Sequence, residues 1–238
     1  MRTLARVEEL LRPEMRDFRP YANARSQNPL REAVYLDSNE NAVGNGRPGI
    51  FRYPDPQQSE LRQSVAALRG VEASQVFIGN GSDEGIDLLM RAFCRPGQDQ
   101  VLVQPPTYCM YETFARLNGV EVVVVELTPG FQMDTQRLLQ ALRPTSKLTF
   151  LCSPNNPTGN CLDRQAVREV LRHSPGLVVI DEAYIDFCAE ESWLPELAQH
   201  DNLIVLQTLS KGWSAAGIRI GMVFAHPEII AVLDAIKP

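Results

Sequence analysis

The sequence predicts an α/β fold in which a largely parallel sheet is covered by helices on both faces. From about residue 74 onward, short apolar runs rich in β-branched residues alternate with stretches of helical periodicity. This alternation is typical of parallel sheets, because their strands are buried on both faces and are joined through helices. Seven runs have the length of a strand: residues 76–78, 101–103, 120–125, 148–152, 177–180, 203–206 and 218–224.

The first residues predict an amphipathic N-terminal arm. Leu4, Val7 and Leu11 recur at helical spacing, and Pro13 and Pro20 then interrupt the pattern. The 238 residues make the chain longer than a typical domain and short for two. We therefore expect one large domain and part of another.

Composition argues against several classes of function. A net charge of −6 and a pI near 5.2 do not favour a nucleic-acid surface, which needs clustered Lys and Arg. Five cysteines without a C-x-x-C pair predict reduced thiols rather than a disulfide framework or a zinc site. The three histidines lack the spacing of a metal-ligand pair. Apolar runs of strand length and the lack of a signal peptide predict a soluble, cytoplasmic protein with no membrane contact.

Chemistry is expected where the strands end. In open α/β sheets, ligands bind beyond the carboxyl ends of the strands. Four polar segments directly follow predicted strands, at residues 79–85, 153–159, 181–184 and 208–211. Each segment has a functional interpretation and a plainer structural alternative.

The first segment, G-N-G-S-D-E-G at 79–85, predicts a phosphate cradle. Free backbone N–H groups at the start of a helix bind anions, and Ser82 can cap the helix that the apolar pattern of 86–93 predicts. The glycines miss the G-x-G-x-x-G dinucleotide spacing by one position, and no G-K-[ST] follows. A plain turn between strand and helix is the alternative.

The second segment, S-P-N-N-P-T-G at 153–159, predicts a rigid loop that presents an asparagine. Its two prolines and its terminal glycine restrict the backbone and so fix the direction of the asparagine side chains. An ordinary Asx-Pro turn would explain any three of these residues, but it explains all seven poorly.

The third segment places Asp181 at the end of the apolar run 177–180, with Glu182, Tyr184 and Asp186 following. A carboxylate at the end of a buried strand is costly unless a cation meets it, and a protonated pyridine nitrogen would serve. A helix N-cap or a structural ion pair is the alternative interpretation.

The fourth segment, T-L-S-K at 208–211, makes Lys211 a candidate for Schiff-base formation. Burial and nearby cations depress the pKa of such an amine, and Arg219 is the obvious cation. Arg219 and Ser210 could also hold a phosphate. Gly212 and Gly217 permit a close approach of backbone to ligand. The alternative is a surface lysine that happens to follow a strand.

Together the four segments supply the groups that bind and tune pyridoxal 5′-phosphate (PLP), namely a phosphate cradle, a donor to the ring oxygen, a carboxylate for the ring nitrogen and an amine. These residues resemble the PLP-dependent aminotransferases of fold type I, and within them the group that acts on histidinol phosphate. The resemblance is carried by R-Y-P at 52–54, G-S-D-E-G at 81–85, P-P-T-Y at 105–108, residues 153–159, D-E-A-Y-I-D-F at 181–187, S-K at 210–211 and R-I-G at 219–221.

The resemblance implies a set of catalytic roles. Lys211 would form the Schiff base with PLP and later move a proton between the substrate and the cofactor. Asp181 would pair with the pyridinium nitrogen. Asn156 and Tyr184 would donate hydrogen bonds to the ring oxygen, and Tyr108 would stack on the ring. Lys211, Asp181 and Tyr184 are thus the expected catalytic residues.

The resemblance also implies residues that bind phosphate, substrate and a second subunit. Tyr53 would reach the phosphate of a neighbouring subunit, so a homodimer is expected. Tyr21 would lie on the substrate side of the N-terminal arm. The phosphate would be held by Ser82, Asp83, Ser210 and Arg219.

The resemblance finally implies a domain organisation and a reaction. Residues 1–50 would form the N-terminal arm with part of a small domain, and residues 51–238 the PLP-binding large domain, a mostly parallel seven-stranded sheet between helices. The C-terminal small domain of the family, with its substrate-gripping arginines, would be absent. The expected reaction is amino-group transfer between L-histidinol phosphate and 2-oxoglutarate, in histidine biosynthesis. A PLP-dependent lyase such as a threonine-phosphate decarboxylase, and a non-catalytic PLP-binding fragment, are the alternatives.

Overall fold

A computed structural model describes most of the chain after residue 50 and parts of the segment before it. The described residues are 7–19, 34, 36, 38–41, 43–44, 46 and 51–237. Within these ranges, no helix combines the length and the apolar character that a membrane crossing requires.

A seven-stranded sheet forms the centre of the described part of the chain, as the apolar runs predict. Its strands stand in the order β1-β7-β6-β5-β4-β2-β3. β7 runs antiparallel to both of its neighbours, and the other four strand pairs are parallel. The strands are β1 Val76–Asn80, β2 Gln100–Val103, β3 Glu121–Val124, β4 Ser146–Cys152, β5 Leu177–Asp181, β6 Leu203–Thr208 and β7 Ile220–Phe224.

Helices cover both faces of this sheet, which confirms the predicted layers. Buried residues of α1, α4, α5 and α8 form one apolar core against the sheet, and those of α3, α6 and α7 form a second core on the opposite face. The described α-helices are α1 Val7–Leu10, α2 Pro13–Arg16, α3 Ser59–Arg69, α4 Ser82–Phe93, α5 Met110–Leu117, α6 Thr135–Ala141, α7 Arg164–His173 and α8 Pro227–Ile236.

The two cores are built from alternate residues of the same strands. In β5, Leu177 and Val179 pack on the first face, whereas Val178 and Ile180 pack on the second. Successive side chains of a strand point to opposite faces, so a strand between two helical layers must be apolar throughout. The continuous apolar runs of the sequence follow from this arrangement.

The direction of β7 decides which segments meet. Because β1 and β6 are both antiparallel to β7, they run in the same direction and their carboxyl ends lie at one edge of the sheet. The start of β7 lies between them, with Ile220 opposite Asn80 and Gly221 opposite Thr208. On the other side of β6, Asp181 lies opposite Cys152 across β5 and β4. All four predicted segments therefore reach the same edge.

The structure corrects two details of the sequence interpretation. Ile218 is not part of the last strand: residues Ala216–Ile218 form a 3₁₀ turn, and Arg219 has a left-handed backbone with φ of 55°. This turn interrupts the extended backbone, so β7 begins only at Ile220. Ser82 does not cap α4 with its side chain, because Gly81 occupies the N-cap and Ser82 is already the first helical residue.

Candidate active site

A cavity of about 230 Å³ opens at the edge of the sheet where the four segments meet. The residues that line it include four that the sequence analysis did not predict as site residues: Gly81, Cys152, Ala183 and Thr208. Nine predicted site residues line this cavity: Ser82, Asp83, Tyr108, Asn156, Asp181, Tyr184, Ser210, Lys211 and Arg219.

Asp181 is a buried carboxylate at the floor of the cavity, with 3% of its surface exposed. Its Oδ2 accepts a hydrogen bond of 2.6 Å from the Tyr111 hydroxyl, and its Oδ1 accepts one of 3.0 Å from the Ala183 N–H. Burial raises the pKa of this carboxyl, although both hydrogen bonds act in the opposite direction. Within the described part of the chain no basic side chain forms an ion pair with Asp181, so the carboxylate is suited to a cationic ligand.

Tyr111 belongs to the candidate site but was missed from the sequence. Its ring is fully buried and stacks on Phe150, with centroids 4.7 Å apart and planes inclined by 12°. This packing fixes the hydroxyl against Asp181. A sequence signal that could have indicated it is the short separation from Tyr108, three residues before it, together with the need of a buried tyrosine hydroxyl for a partner.

The start of α4 and Arg219 form one wall of the cavity. The carbonyl of Arg219 accepts a 2.9 Å hydrogen bond from the N–H of Gly81. Gly81 has a φ of 81°, and a Cβ added to it would lie 2.4 Å from Nη2 of Arg219. The positive φ favours glycine at this position, and the Arg219 guanidinium occupies the space that a side chain would fill. The wall combines a helix N-terminus with a cation, which is an arrangement that binds anions.

Ser210 completes the polar wall and is held by Thr208. The N–H of Ser210 donates a 3.1 Å hydrogen bond to the Thr208 hydroxyl, and the two hydroxyl oxygens are 3.0 Å apart. Nη1 of Arg219 lies 3.5 Å from the Ser210 hydroxyl oxygen. The structure thus brings together Ser82, Ser210 and Arg219, as the sequence predicted.

Lys211 lines the cavity, and its Nζ lies 5.4 Å from the centre of the Tyr184 ring. The residue is exposed, so the structure does not show the burial that the sequence analysis expected for this amine. Its backbone turn is closed by a 3.0 Å hydrogen bond from the Ser214 N–H to the Lys211 carbonyl. The next residue, Gly212, packs against Asp186, since an added Cβ would lie 2.6 Å from the Asp186 Cβ. The missing side chain at Gly212 therefore sets how closely the lysine segment approaches the segment that carries Tyr184.

The two asparagines of the asparagine loop, residues 153–159, have different roles. Asn156 lines the cavity, whereas Asn155 is buried and fixes the loop. The amide of Asn155 donates to the Pro106 carbonyl at 2.9 Å and to the Thr158 hydroxyl at 2.7 Å. Its Oδ1 accepts a 2.9 Å hydrogen bond from the Thr107 hydroxyl. Asn155 thus holds Asn156 in place by joining two loops.

Tyr108 and Asp83 contact each other at the edge of the cavity. The Tyr108 hydroxyl donates a 3.1 Å hydrogen bond to the Asp83 carboxylate. Burial, and then the nearby charge of Asp83, raise the pKa of Tyr108, so its hydroxyl keeps its proton. Because a carboxylate repels an anion, the contribution of Asp83 to an anion site is its backbone N–H near the start of α4.

One predicted residue is described and does not line the cavity, and another lies outside the described residues. Tyr53 is 69% exposed and does not line it. Tyr21 lies outside the described residues. Glu182, which follows Asp181, is buried elsewhere and accepts hydrogen bonds of 2.6 Å from both the Ser192 hydroxyl and the Trp193 N–H.

The cavity therefore combines three chemical features. A buried anion stands at its floor, an anion-binding wall stands on one side, and a primary amine stands at its mouth. A ligand that satisfies all three has a cationic or protonated ring atom, an anionic group and a carbon that an amine can attack.

Similar proteins agree with this description. Residues 26–238 match the profile of the family described as aminotransferase class I and II. A histidinol-phosphate aminotransferase of Parabacteroides distasonis is 50% identical over 97% of the chain, and one of Cytophaga hutchinsonii is 45% identical over 98%. The crystal structure of histidinol-phosphate aminotransferase from Sinorhizobium meliloti in complex with pyridoxal-5′-phosphate has a TM-score of 0.72 and 26% identity over 78% of the chain.

These matches also give the extent of the similarity. The chain spans 66% of the Parabacteroides protein, 67% of the Cytophaga protein and 52% of the Sinorhizobium chain. The family profile covers far more than half of the 238 residues. The chain belongs to the class I and II aminotransferase family.

Proposed function

We propose that this chain binds PLP in the cavity at the sheet edge and serves amino-group transfer between L-histidinol phosphate and 2-oxoglutarate. The observation that carries the proposal is the buried Asp181 carboxylate, which has two neutral donors and no ion-pair partner among the described residues. A buried charge of this kind is costly unless a cation completes it, and it shares its cavity with Lys211.

The residues of the cavity fit PLP in charge and in donor type. Asp181 would hold the ring nitrogen, and the wall formed by Ser82, Ser210 and Arg219 would hold the phosphate. The missing side chain of Gly81 leaves the Arg219 guanidinium room beside the helix start. Asn156 and Tyr184 line the cavity and would donate hydrogen bonds to the ring oxygen. Tyr108 also lines the cavity and would stack on the ring face.

When bound, PLP supplies a carbonyl carbon that accepts amino groups and a ring that stabilises a developing carbanion. Residues of the protein supply the nucleophile, the proton transfer and the charge on the ring nitrogen's partner. Lys211 offers its amine as nucleophile and then holds or moves a proton at Nζ. Asp181 keeps a proton on a ring nitrogen through its negative charge, and Tyr111 keeps that carboxylate oriented by its 2.6 Å hydrogen bond.

The proposed substrate rests on the relatives, of which two at 50% and 45% identity are histidinol-phosphate aminotransferases. Tyr21 is proposed to face this substrate, on the grounds of the sequence resemblance. Residues 51–238 are proposed to form the PLP-binding large domain, with residues 1–50 as the arm and part of the small domain. Soluble biosynthetic substrates fit a cytoplasmic location.

A homodimer is part of the same proposal. Tyr53 is 69% exposed and lies outside the cavity of its own subunit, as expected for a residue that reaches a neighbouring site. Analytical ultracentrifugation would test the dimer. Tyr53→Phe should weaken PLP retention without changing the sedimentation coefficient, and a purely monomeric protein that retains PLP fully would contradict the role.

The experiment that tests the function is a single-turnover assay. PLP-loaded protein is mixed with L-histidinol phosphate, and the absorbance band of the Lys211-bound cofactor is followed as the amino group is transferred. Adding 2-oxoglutarate should restore that band. Loss of the band with no restoration, or no change with either compound, would contradict amino transfer.

The lyase alternative is tested in a parallel assay in which threonine phosphate replaces L-histidinol phosphate, because histidinol phosphate has no carboxyl group to lose. A decarboxylase releases carbon dioxide from an amino-acid donor and returns the cofactor band without 2-oxoglutarate. A non-catalytic PLP-binding protein would show the band and no response to any amino donor. Carbon dioxide release measured beside band recovery therefore distinguishes the three functions.

A further inference from the structure

Two thiols lie in contact beside the candidate active site. Sγ of Cys161 and Sγ of Cys188 are 2.9 Å apart, and both residues are free cysteines. A disulfide bond is about 2.05 Å long, so a displacement of less than about 1 Å separates the two thiols from the bonded state. The sequence spacing of 27 residues gave no sign of this contact.

The pair connects the two segments that carry Asn156 and Tyr184. Cys161 follows the asparagine loop by two residues, and Cys188 is the residue directly after the 3₁₀ turn Ile185–Phe187. Asn156, Tyr184 and Cys188 together line a second cavity of about 320 Å³. Asn156 and Tyr184 also line the active-site cavity, so the pair joins two segments that contribute to that cavity.

The two cysteines line different cavities. Cys188 lines the second cavity, and Cys161 lines a separate groove with Met133 and Arg164. Neither cysteine is buried, in contrast to Cys94. A small oxidant can therefore approach the pair without unfolding the sheet.

We propose that Cys161 and Cys188 are a thiol pair that low-molecular-weight disulfides, such as oxidised glutathione, convert to an intramolecular disulfide. In a reducing compartment such a bond forms transiently and reports oxidation. The bond would clamp the Asn156 loop to the Tyr184 segment.

The chemistry balances in two exchange steps. Burial and the adjoining Cys188 raise the pKa of the Cys161 thiol. In the first step the Cys188 sulfur, as its thiolate, attacks the small disulfide. One small thiol leaves and a mixed disulfide remains on Cys188. The Cys161 sulfur then loses its proton and attacks the Cys188 sulfur, releasing the second small thiol. The protein loses two electrons and two protons, and the small disulfide gains them.

The clamp has a consequence that rests on the proposed function. Cofactor release requires the walls of the cavity to open, and the asparagine loop and the Tyr184 segment are two of these walls. A covalent link between them restricts that opening. Oxidation should therefore slow the release of PLP rather than abolish its binding.

The first experiment detects the bond itself. PLP-loaded protein is equilibrated with oxidised and reduced glutathione, its free thiols are blocked, and it is digested without reduction. Cleavage after Lys147, Arg164, Arg172 and Lys211 places the two cysteines on separate peptides. We expect a cross-linked peptide pair, a fall in free thiols from five to three as two are consumed, and full reversal by a reductant.

Matched variants assign the bond to this pair. Cys161→Ser should abolish the cross-link and leave Cys188 as a glutathione adduct. Because Cys152 lies on the same peptide as Cys161, loss of the cross-link in this variant also shows that Cys152 is not the partner of Cys188. Cys109→Ser removes an exposed thiol elsewhere and should leave the cross-link unchanged. Accumulation of glutathione adducts on both cysteines of the unchanged protein, without a cross-link, would overturn the proposal. So would reaction of Cys109 alone.

The second experiment tests the clamp. Release of PLP to a scavenging apo-enzyme is timed for oxidised and reduced protein, and oxidation is expected to slow it about threefold or more, because release is gated by local opening. Cys161→Ser under the same treatment should show no slowing. Equal rates in the cross-linked and reduced proteins would overturn the clamp. The cross-link is detected by mass spectrometry, separately from PLP binding. A protein that formed the cross-link but failed to bind PLP would therefore contradict only the proposed function.

Discussion

The hydroxyl of Tyr111 donates a 2.6 Å hydrogen bond to Oδ2 of Asp181, while its ring stacks on Phe150. The pair joins helix α5 to the end of strand β5, 70 residues further along the chain. The carboxylate at the centre of the site is therefore oriented by a residue that has no place in the cavity lining.

Tyr111→Phe should weaken cofactor binding while keeping the ring stack. A hydrogen bond to a charged group contributes about 1.5–3 kcal/mol, so we expect the PLP dissociation constant to rise about tenfold to a hundredfold. Equilibrium dialysis measures this change. In an Asp181→Asn background the same substitution should have little further effect, because its partner charge is gone. Additive losses in the double variant would contradict the coupling.

Asp181→Asn should change the stability of the cofactor-free protein in a pH-dependent way. Burial raises the folded-state pKa of Asp181 above the ordinary 3.8. The contribution of Asp181 to stability is therefore complete below the unfolded pKa and is lost as the pH rises through the folded pKa. Asparagine does not titrate, so the variant should gain stability relative to the unchanged protein across this window.

Urea unfolding at several pH values measures the difference between these two proteins. Above the window the advantage of Asp181→Asn should be constant. With PLP bound, the unchanged protein should be the more stable of the two, because the variant cannot stabilise a cationic ring nitrogen. A stability difference between the two proteins that does not change with pH across this window would contradict the raised pKa of Asp181.

Gly221→Ala should disrupt the contact between β7 and the start of α4. An added Cβ would lie 2.0 Å from the Ser82 backbone nitrogen, so the backbone must move. Overpacking of this kind costs about 1–3 kcal/mol or more, and the shift should also weaken PLP binding. Gly217→Ala is the matched control, since nothing lies within 4 Å of its added Cβ. Similar melting temperatures for the two variants would refute the close approach.

Lys211→Ala should abolish covalent retention of PLP. The amine stands at the mouth of the cavity, 5.4 Å from the Tyr184 ring centre. After borohydride reduction and denaturation, the unchanged protein should carry the cofactor by mass spectrometry and the variant should not. Lys237, whose Nζ donates to the Ile78 carbonyl at 2.7 Å, offers the control: Lys237→Ala should keep the adduct. An adduct that persists in Lys211→Ala would place the reactive amine elsewhere.

The local pattern of apolar and polar residues was enough to predict the strands and the polar segments that follow them. Six of the seven strands are largely buried on both faces and appear in the sequence as apolar runs, whereas the edge strand β3 is only partly buried. The polar residues that follow the buried strands mark the edge of the sheet. For this reason Asp181 and Lys211 could be predicted from the sequence as candidate site residues, and both line the cavity. The turn at Ala216–Ile218 was missed because Ile218 and Ile220 are apolar, and apolarity does not distinguish a turn before a strand from the strand itself.

Tertiary structure decided which of these segments touch. The antiparallel course of β7 brings Gly221 against Ser82 and Arg219 against Gly81, and no local pattern encodes the direction in which a strand joins a sheet. The contact of Cys161 with Cys188 likewise depends on how two loops pack. Strand identity depends on neighbouring residues, whereas pairing depends on the free energy of packing between segments that are distant in sequence, and only the folded chain determines it.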